Sequence, residues 1–150
     1  MNYLLSEDSD ILEPIISFTT RRKRLQEKHG HHYYFIPREQ YVDYCRAGKI
    51  YQEIRYLDEI YGVTTDELQR VKNTNKNGLA IMNIEGMRIF KKKMKAQDVV
   101  SIFIYRDLKD IINSILNSDR KKEDKESRIE LAKNEMLDIT SCDYVVYNIG

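Results

Sequence analysis

Four apolar runs punctuate the chain. Pro14-Ile15-Ile16-Ser17-Phe18 is short and β-rich, and Leu79-Ala80-Ile81-Met82-Asn83-Ile84 follows the turn signal Asn77-Gly78. Val99-Val100-Ser101-Ile102-Phe103-Ile104-Tyr105 and Tyr144-Val145-Val146-Tyr147 complete the set. Runs that are apolar almost throughout, rather than alternating, predict strands of a parallel sheet covered on both faces. Helical spacing lies between them. Leu108, Ile111, Ile112, Ile115 and Leu116 fall at i, i+3, i+4, i+7 and i+8, which predicts one stripe facing the sheet. Ile129, Ala132, Met136 and Leu137 repeat that spacing in a last helix, and Met87, Phe90 and Met94 do so more weakly. Thr64-Thr65-Asp66-Glu67 has capping-box spacing ahead of a short helix through Leu68 and Val71. Strand–helix alternation of this kind predicts an α/β fold.

Two stretches break the alternation. Residues 33–62 hold seven of the eleven tyrosines, a predicted helix over 38–47 ending at Gly48, and two short β-like segments. This region reads as an insertion, about residues 33–63, with its own small mixed sheet. Residues 118–128 are almost entirely charged and polar, which predicts a solvated loop or helix start.

Composition narrows the classes. A chain of 150 residues favours one domain spanning 1–150 and can bury a core without staples. The 25 basic and 24 acidic residues nearly cancel, which argues against nucleic acid and anionic membrane as general partners. No apolar run approaches the eighteen or so residues of a membrane span, and the N-terminus turns acidic too soon for a secretory signal. Cys45 and Cys142 have no metal-ligand spacing and read as reduced core thiols of a cytoplasmic protein. His29, His31 and His32 read as a polar turn rather than a metal site, so no metal is expected.

The densest chemistry lies in residues 17–35, Ser-Phe-Thr-Thr-Arg-Arg-Lys-Arg-Leu-Gln-Glu-Lys-His-Gly-His-His-Tyr-Tyr-Phe. Two arginines three apart can converge on one phosphate, because the planar guanidinium captures phosphate oxygens bidentately. On charge alone, a basic surface turn or an RNA-binding patch is the simpler reading. Order and spacing change that. The segment resembles the monophosphate-binding signature of guanylate kinases, with Ser17, Thr19, Thr20, Arg21, Arg24, Glu27, Gly30, Tyr33 and Phe35 in register. Gln26 stands where the family has a glycine. The resemblance implies a P-loop nucleoside-monophosphate-kinase core with a small mixed α+β insertion for GMP. It implies that Ser17, Arg21, Arg24 and Tyr33, with Glu27 in the same set, hold the phosphate of GMP or dGMP.

Further matches follow downstream. Tyr61-Gly62 resembles the family's Tyr-Gly, with Tyr61 a phosphate ligand and Val63 in place of a hydroxyl residue. The family's guanine-reading glutamate falls on Gln52, with Glu53 beside it. A carboxylate accepts from both N1–H and the exocyclic amine of guanine, whereas a glutamine accepts only through its carbonyl. A one-residue shift would give that role to Glu53. Glu85 resembles the acidic residue beside the two substrates, and a carboxylate on a helix N-terminus is the plainer reading of it. Residues 118–128 occupy the family's lid, with Arg128, and more loosely Arg120, as the arginines that steady the transferred phosphoryl group. Asn148 resembles the asparagine near the adenine of ATP.

The family's first strand and its Gly-x-x-x-x-Gly-Lys-[Ser/Thr] loop have no counterpart among these residues. The resemblance therefore implies no intrinsic cofactor, with ATP and Mg2+ entering only if a P-loop is supplied from outside this chain. It implies monophosphate binding over catalysis of ATP + GMP ⇌ ADP + GDP. A sheet lacking its central strand also exposes unpaired edges, which points to a homodimer or a strand-donating partner. The competing class is an interaction module that receives a phosphorylated or acidic partner on the same arginine–tyrosine cluster.

Overall fold

The structure, a computed structural model, describes residues 6–56, 58–119 and 121–148. The chain packs as two compact units, one through Met82 and one from Asn83. The first holds β1 (Leu12–Pro14), β2 (Phe18–Thr19), β3 (Tyr34–Phe35), α1 (Arg38–Arg46), β4 (Ile50–Tyr56), β5 (Glu59–Thr64), α2 (Thr65–Lys72) and β6 (Asn77–Leu79). The second holds α3 (Ile84–Lys93), β7 (Ile102–Tyr105), α4 (Leu108–Leu116), α5 (Lys122–Leu137) and β8 (Tyr144–Tyr147), with two 3₁₀ turns. The α/β class stands.

In the first unit β1 pairs with β6 in parallel, and a separate mixed sheet runs β3-β2-β5-β4. Within that mixed sheet, β2 and β3 are parallel, while β2–β5 and β5–β4 are antiparallel. The predicted run 14–18 therefore divides between two sheets. β1 stops at Pro14, Ile15 N–H reaches Leu79 O at 2.9 Å, and pairing resumes with β5 at Phe18.

One face of the mixed sheet carries the core. Phe18, Ile36 and Ile60 are buried together, and Tyr34, Tyr41, Tyr44 and Ile50 pack around them. Helix α1 supplies two of those tyrosines and ends in a Schellman turn. Gly48 N–H donates to Cys45 O (3.1 Å) and Lys49 N–H to Tyr44 O (2.9 Å), with Gly48 at φ +64° where a side chain is strained. Cys45 falls just off the buried stripe set by Tyr41 and Tyr44 and is exposed; Cys142 is half-buried, and both are free thiols. The expectation of two core cysteines thus fails at Cys45.

In the second unit β7 and β8 pair in parallel, Ile102 opposite Tyr144 through Tyr105 opposite Tyr147. Asp143 fixes the start of that pair. Its Oδ2 accepts from Ser101 N–H (2.7 Å), Ser101 Oγ (2.7 Å) and Lys91 Nζ (2.6 Å). The Lys91 ammonium, then the Ser101 hydroxyl and amide, hold this carboxyl well below the usual range.

Two further expectations change. The run 79–84 is a strand only at Leu79, because β1 is too short to pair beyond it. Asn83 instead caps α3, its Oδ1 accepting from Gly86 N–H at 2.9 Å, and Ile84 is already helical. The charged run 118–128 does start a helix, at Lys122, as one of its two readings had it. Met94, Leu116 and Leu137, placed on buried stripes by their spacing, are exposed at helix ends.

Candidate nucleotide-binding site

The residues from Thr20 to Tyr33 loop out between the parallel neighbours β2 and β3. Strand pairing at both ends returns Tyr34 opposite Phe18 and Phe35 opposite Thr19, which closes the loop on itself. Thr19 Oγ1 accepts from Arg21 N–H at 3.2 Å, and His29 Nδ1 accepts from Phe35 N–H at 3.2 Å. His32 Nδ1 accepts from Lys28 N–H at 3.0 Å. Two of the three histidines therefore satisfy loop amides. Among the described residues no group of three His, Cys, Asp or Glu stands close enough to hold a metal.

Glu27 organises the cationic side of the loop. Arg21 Nη2 donates to Glu27 Oε1 at 2.7 Å and Nη1 to Oε2 at 3.0 Å, a bidentate pair. Arg24 N–H donates to Glu27 Oε2 at 2.7 Å, so the same carboxylate fixes the backbone that carries the second arginine. The guanidinium of Arg21 and then the Arg24 amide pull the Glu27 carboxyl down to about 2 against the cost of burial. Glu27, then the Tyr61 hydroxyl, reinforces the charge on Arg21.

Aromatic rings flank that cation. The Arg21 guanidinium carbon lies 5.7 Å from the Tyr33 ring centroid and 5.6 Å from that of Phe35, within cation–π range. Tyr33 and Tyr61 meet edge to face with centroids 5.8 Å apart, and Tyr56 adds a second edge contact on Tyr61 at 6.3 Å. Burial, then the neighbouring Tyr61, raises the Tyr33 phenol, while Arg21 lowers it; the hydroxyl stays protonated at neutral pH and remains a donor.

Strand register decides what else shares this face. Thr19 and Ile54 both pair with Tyr61, and Gln52 pairs with Val63, which puts Gln52 on the Tyr61 face. Glu53 pairs with Gly62 on the opposite face, where Tyr41 Oη of α1 donates to its two oxygens at 3.1 and 3.0 Å. The two base-reading candidates thus point to different sides of the sheet. Gly62 leaves room for the Phe18 ring, because a Cβ there would lie 2.7 Å from Phe18 Cζ.

Of the residues singled out from sequence, Arg21, Arg24, Glu27, Tyr33 and Tyr61 therefore form one cluster. Ser17 is half-buried just ahead of β2, its carbonyl accepting from Tyr34 N–H at 2.9 Å. Glu85, Arg128 and Asn148 belong to the second unit: Glu85 is exposed in the first turn of α3, Arg128 half-buried in α5, and Asn148 exposed just beyond β8. Arg120 lies outside the described residues.

Comparison with known proteins decides the family. The guanylate kinase family model matches residues 1–149. This chain belongs to the guanylate kinase family. The guanylate kinase of Campylobacter jejuni strain RM1221 is 31% identical over 148 residues, covering 97% of this chain and 71% of that protein. The guanylate kinase of Shouchella clausii is 30% identical over 148 residues, covering 96% and 70%. A crystal structure of guanylate kinase from Anaplasma phagocytophilum superposes with a TM-score of 0.75 at 26% identity, over 99% of this chain and 73% of the other. The arginine–tyrosine cluster thus sits within a guanylate kinase fold.

Sequence reasoning passed over one buried group. Glu67 is 4% exposed and accepts from Ile16 N–H (2.8 Å), Tyr34 Oη (3.3 Å), and Arg70 Nε (2.9 Å) and Nη2 (2.8 Å). Its capping-box position explains only part of this. Glu67 N–H does donate to Thr64 Oγ1 at 3.2 Å, yet the carboxylate bonds distant segments. Arg70 is only three positions away, but the partners that bury this charge between segments, Tyr34 and Ile16, lie 33 and 51 positions away.

Proposed function

We propose that this chain binds GMP or dGMP, holding the 5′-phosphate on Arg21, Arg24, Tyr33 and Tyr61 with Ser17 beside them. The observation that carries the reading is the Arg21–Glu27 pair set among Tyr33, Phe35 and Tyr61. A phosphate monoester brings about −1.5 to −2 charges and three acceptor oxygens, which arginine forks and phenol hydroxyls complement. The Glu27 carboxylate takes no part in charge attraction to the ligand; it orients Arg21 and the Arg24 backbone for it. Gln52, on the face of Tyr61, is the residue assigned to the base edge.

The family reaction also needs ATP, whose phosphates are cradled by P-loop amides and lysine. No Gly-x-x-x-x-Gly-Lys-[Ser/Thr] run occurs in these 150 residues. We therefore assign them the acceptor half of ATP + GMP ⇌ ADP + GDP, with phosphoryl transfer requiring a phosphate cradle supplied in addition. Glu85, Arg128 and Asn148 are assigned to the transfer and adenine side in that case.

Calorimetric titration with GMP tests the acceptor site, using Arg21→Ala and Arg24→Ala as partners. The reading expects saturable binding by the parent chain and strong weakening in both variants. Unchanged affinity in both would overturn the site assignment.

A further inference from the structure

Three segments of the first unit bring the phosphate-holding side chains together. The chain entering β2 carries Ser17 and leads to Arg21; β3 begins one residue after Tyr33; β5 carries Tyr61 and runs directly into α2. All three meet at a single carboxylate. Glu67, in the first turn of α2, accepts from Ile16 N–H at 2.8 Å, next to Ser17. It also accepts from Tyr34 Oη at 3.3 Å, next to Tyr33. Arg70 neutralises it from the same helix through Nε and Nη2, at 2.9 and 2.8 Å. The remaining reach of Arg70 goes to Glu13, and to Pro14 O at 2.7 Å, on β1.

A carboxylate this deeply buried is retained only with its partners in place, because desolvating an unpaired charge is costly. Here the partners are the entry and exit of the loop that carries Arg21 and Arg24. We infer that Glu67, paired with Arg70, is a positioning residue of the nucleotide site, setting the spacing of the three segments that carry Ser17, Arg21, Tyr33 and Tyr61. It touches no ligand in this account and acts through those side chains. The inference rests on the reading of this cluster as a phosphate site.

Two variants of the full chain test it. Tyr34→Phe removes only the tie to β3 and leaves the Glu67–Arg70 pair and the ring packing intact. Glu67→Gln keeps the shape but gives up the charge that Arg70 and Tyr34 engage. Each is measured for melting temperature, for GMP affinity by calorimetry, and for the Arg21 guanidinium signal in a nitrogen-15 NMR spectrum. Tyr34→Phe should keep the melting temperature within about 2 °C of the parent while GMP affinity falls roughly five-fold and the Arg21 signal shifts. Glu67→Gln should lower GMP affinity by at least ten-fold. A purely structural role predicts something else: lower melting temperatures, with GMP affinity and the Arg21 signal of the folded protein unchanged in both variants, and that result overturns the inference. If the parent chain itself does not bind GMP, the functional reading fails separately. The Arg21 signal then decides alone, a shift in folded Tyr34→Phe supporting the positioning role and an unmoved signal in both variants overturning it.

Discussion

Arg21 is the most heavily engaged cation of the proposed site. Its guanidinium is mostly covered, paired bidentately with Glu27 and stacked near two rings, so it is oriented before any ligand arrives. Losing charge-assisted hydrogen bonds to the phosphate is worth about 1.5–3 kcal/mol, so Arg21→Ala should weaken GMP binding roughly 10- to 150-fold. Arg24 is exposed and its structural bond is made by the backbone. Arg24→Ala should therefore weaken GMP binding while leaving stability within roughly 0.5 kcal/mol, as thermal unfolding would report. Glu27 supplies a pH test. Its carboxyl lies near 2 when folded against an ordinary 4.5. The folded state thus favours the charged form, and the stabilisation is complete above pH 4.5 and lost as pH falls toward 2. Across that window the parent chain should lose its stability advantage over Glu27→Gln; parallel melting curves for the two would refute the assignment.

The end of α1 and the cap of α2 were readable from short spacing alone. Gly48 ends α1 as expected, and Thr64 caps α2. The segment from Ser17 to Phe35 was readable through its resemblance to the family signature, and its geometry is set within one loop and the two strands that close it. What escaped depends on distant partners. Residues 79–84 look like a strand by composition, but a strand exists only where another pairs with it, and β1 covers only Asn77–Leu79. Which of Gln52 and Glu53 shares the face of Tyr61 follows from the register of β4 against β5, after the irregularity between Ile50 and Gln52. Ungapped spacing could not supply that. The same sheet yields a stability prediction at Gly62, where an added Cβ would fall 2.4 Å from Gln52 O and 2.7 Å from Phe18 Cζ. Gly62→Ala should destabilise the first unit by about 1–3 kcal/mol or more, measured by urea unfolding. Gly48→Ala, strained at φ +64° but with open space around it, should cost only about 1 kcal/mol.

Across the molecule, the arginine–tyrosine cluster lies wholly in the first unit, while Glu85, Arg128 and Asn148 lie in the second. In the proposed reading, holding the monophosphate falls to residues of the first unit and phosphoryl transfer to those of the second. Adding ATP, Mg2+ and GMP to these 150 residues alone should yield no GDP above background, even where GMP binds; sustained GDP formation in a coupled assay would show that the ATP side is complete. A ligand that binds only the folded state also raises its stability, by about 2.7 kcal/mol at one hundred times its dissociation constant. GMP at one hundred times the parent's dissociation constant should accordingly raise the melting temperature of the parent chain more than that of Arg21→Ala. The most direct test of the account remains calorimetric titration of the folded chain with GMP, with Arg21→Ala alongside. The account predicts a saturable one-to-one isotherm for the parent, weakened at least ten-fold in the variant. An absence of GMP binding by a folded parent, or equal binding by the two proteins, would contradict it.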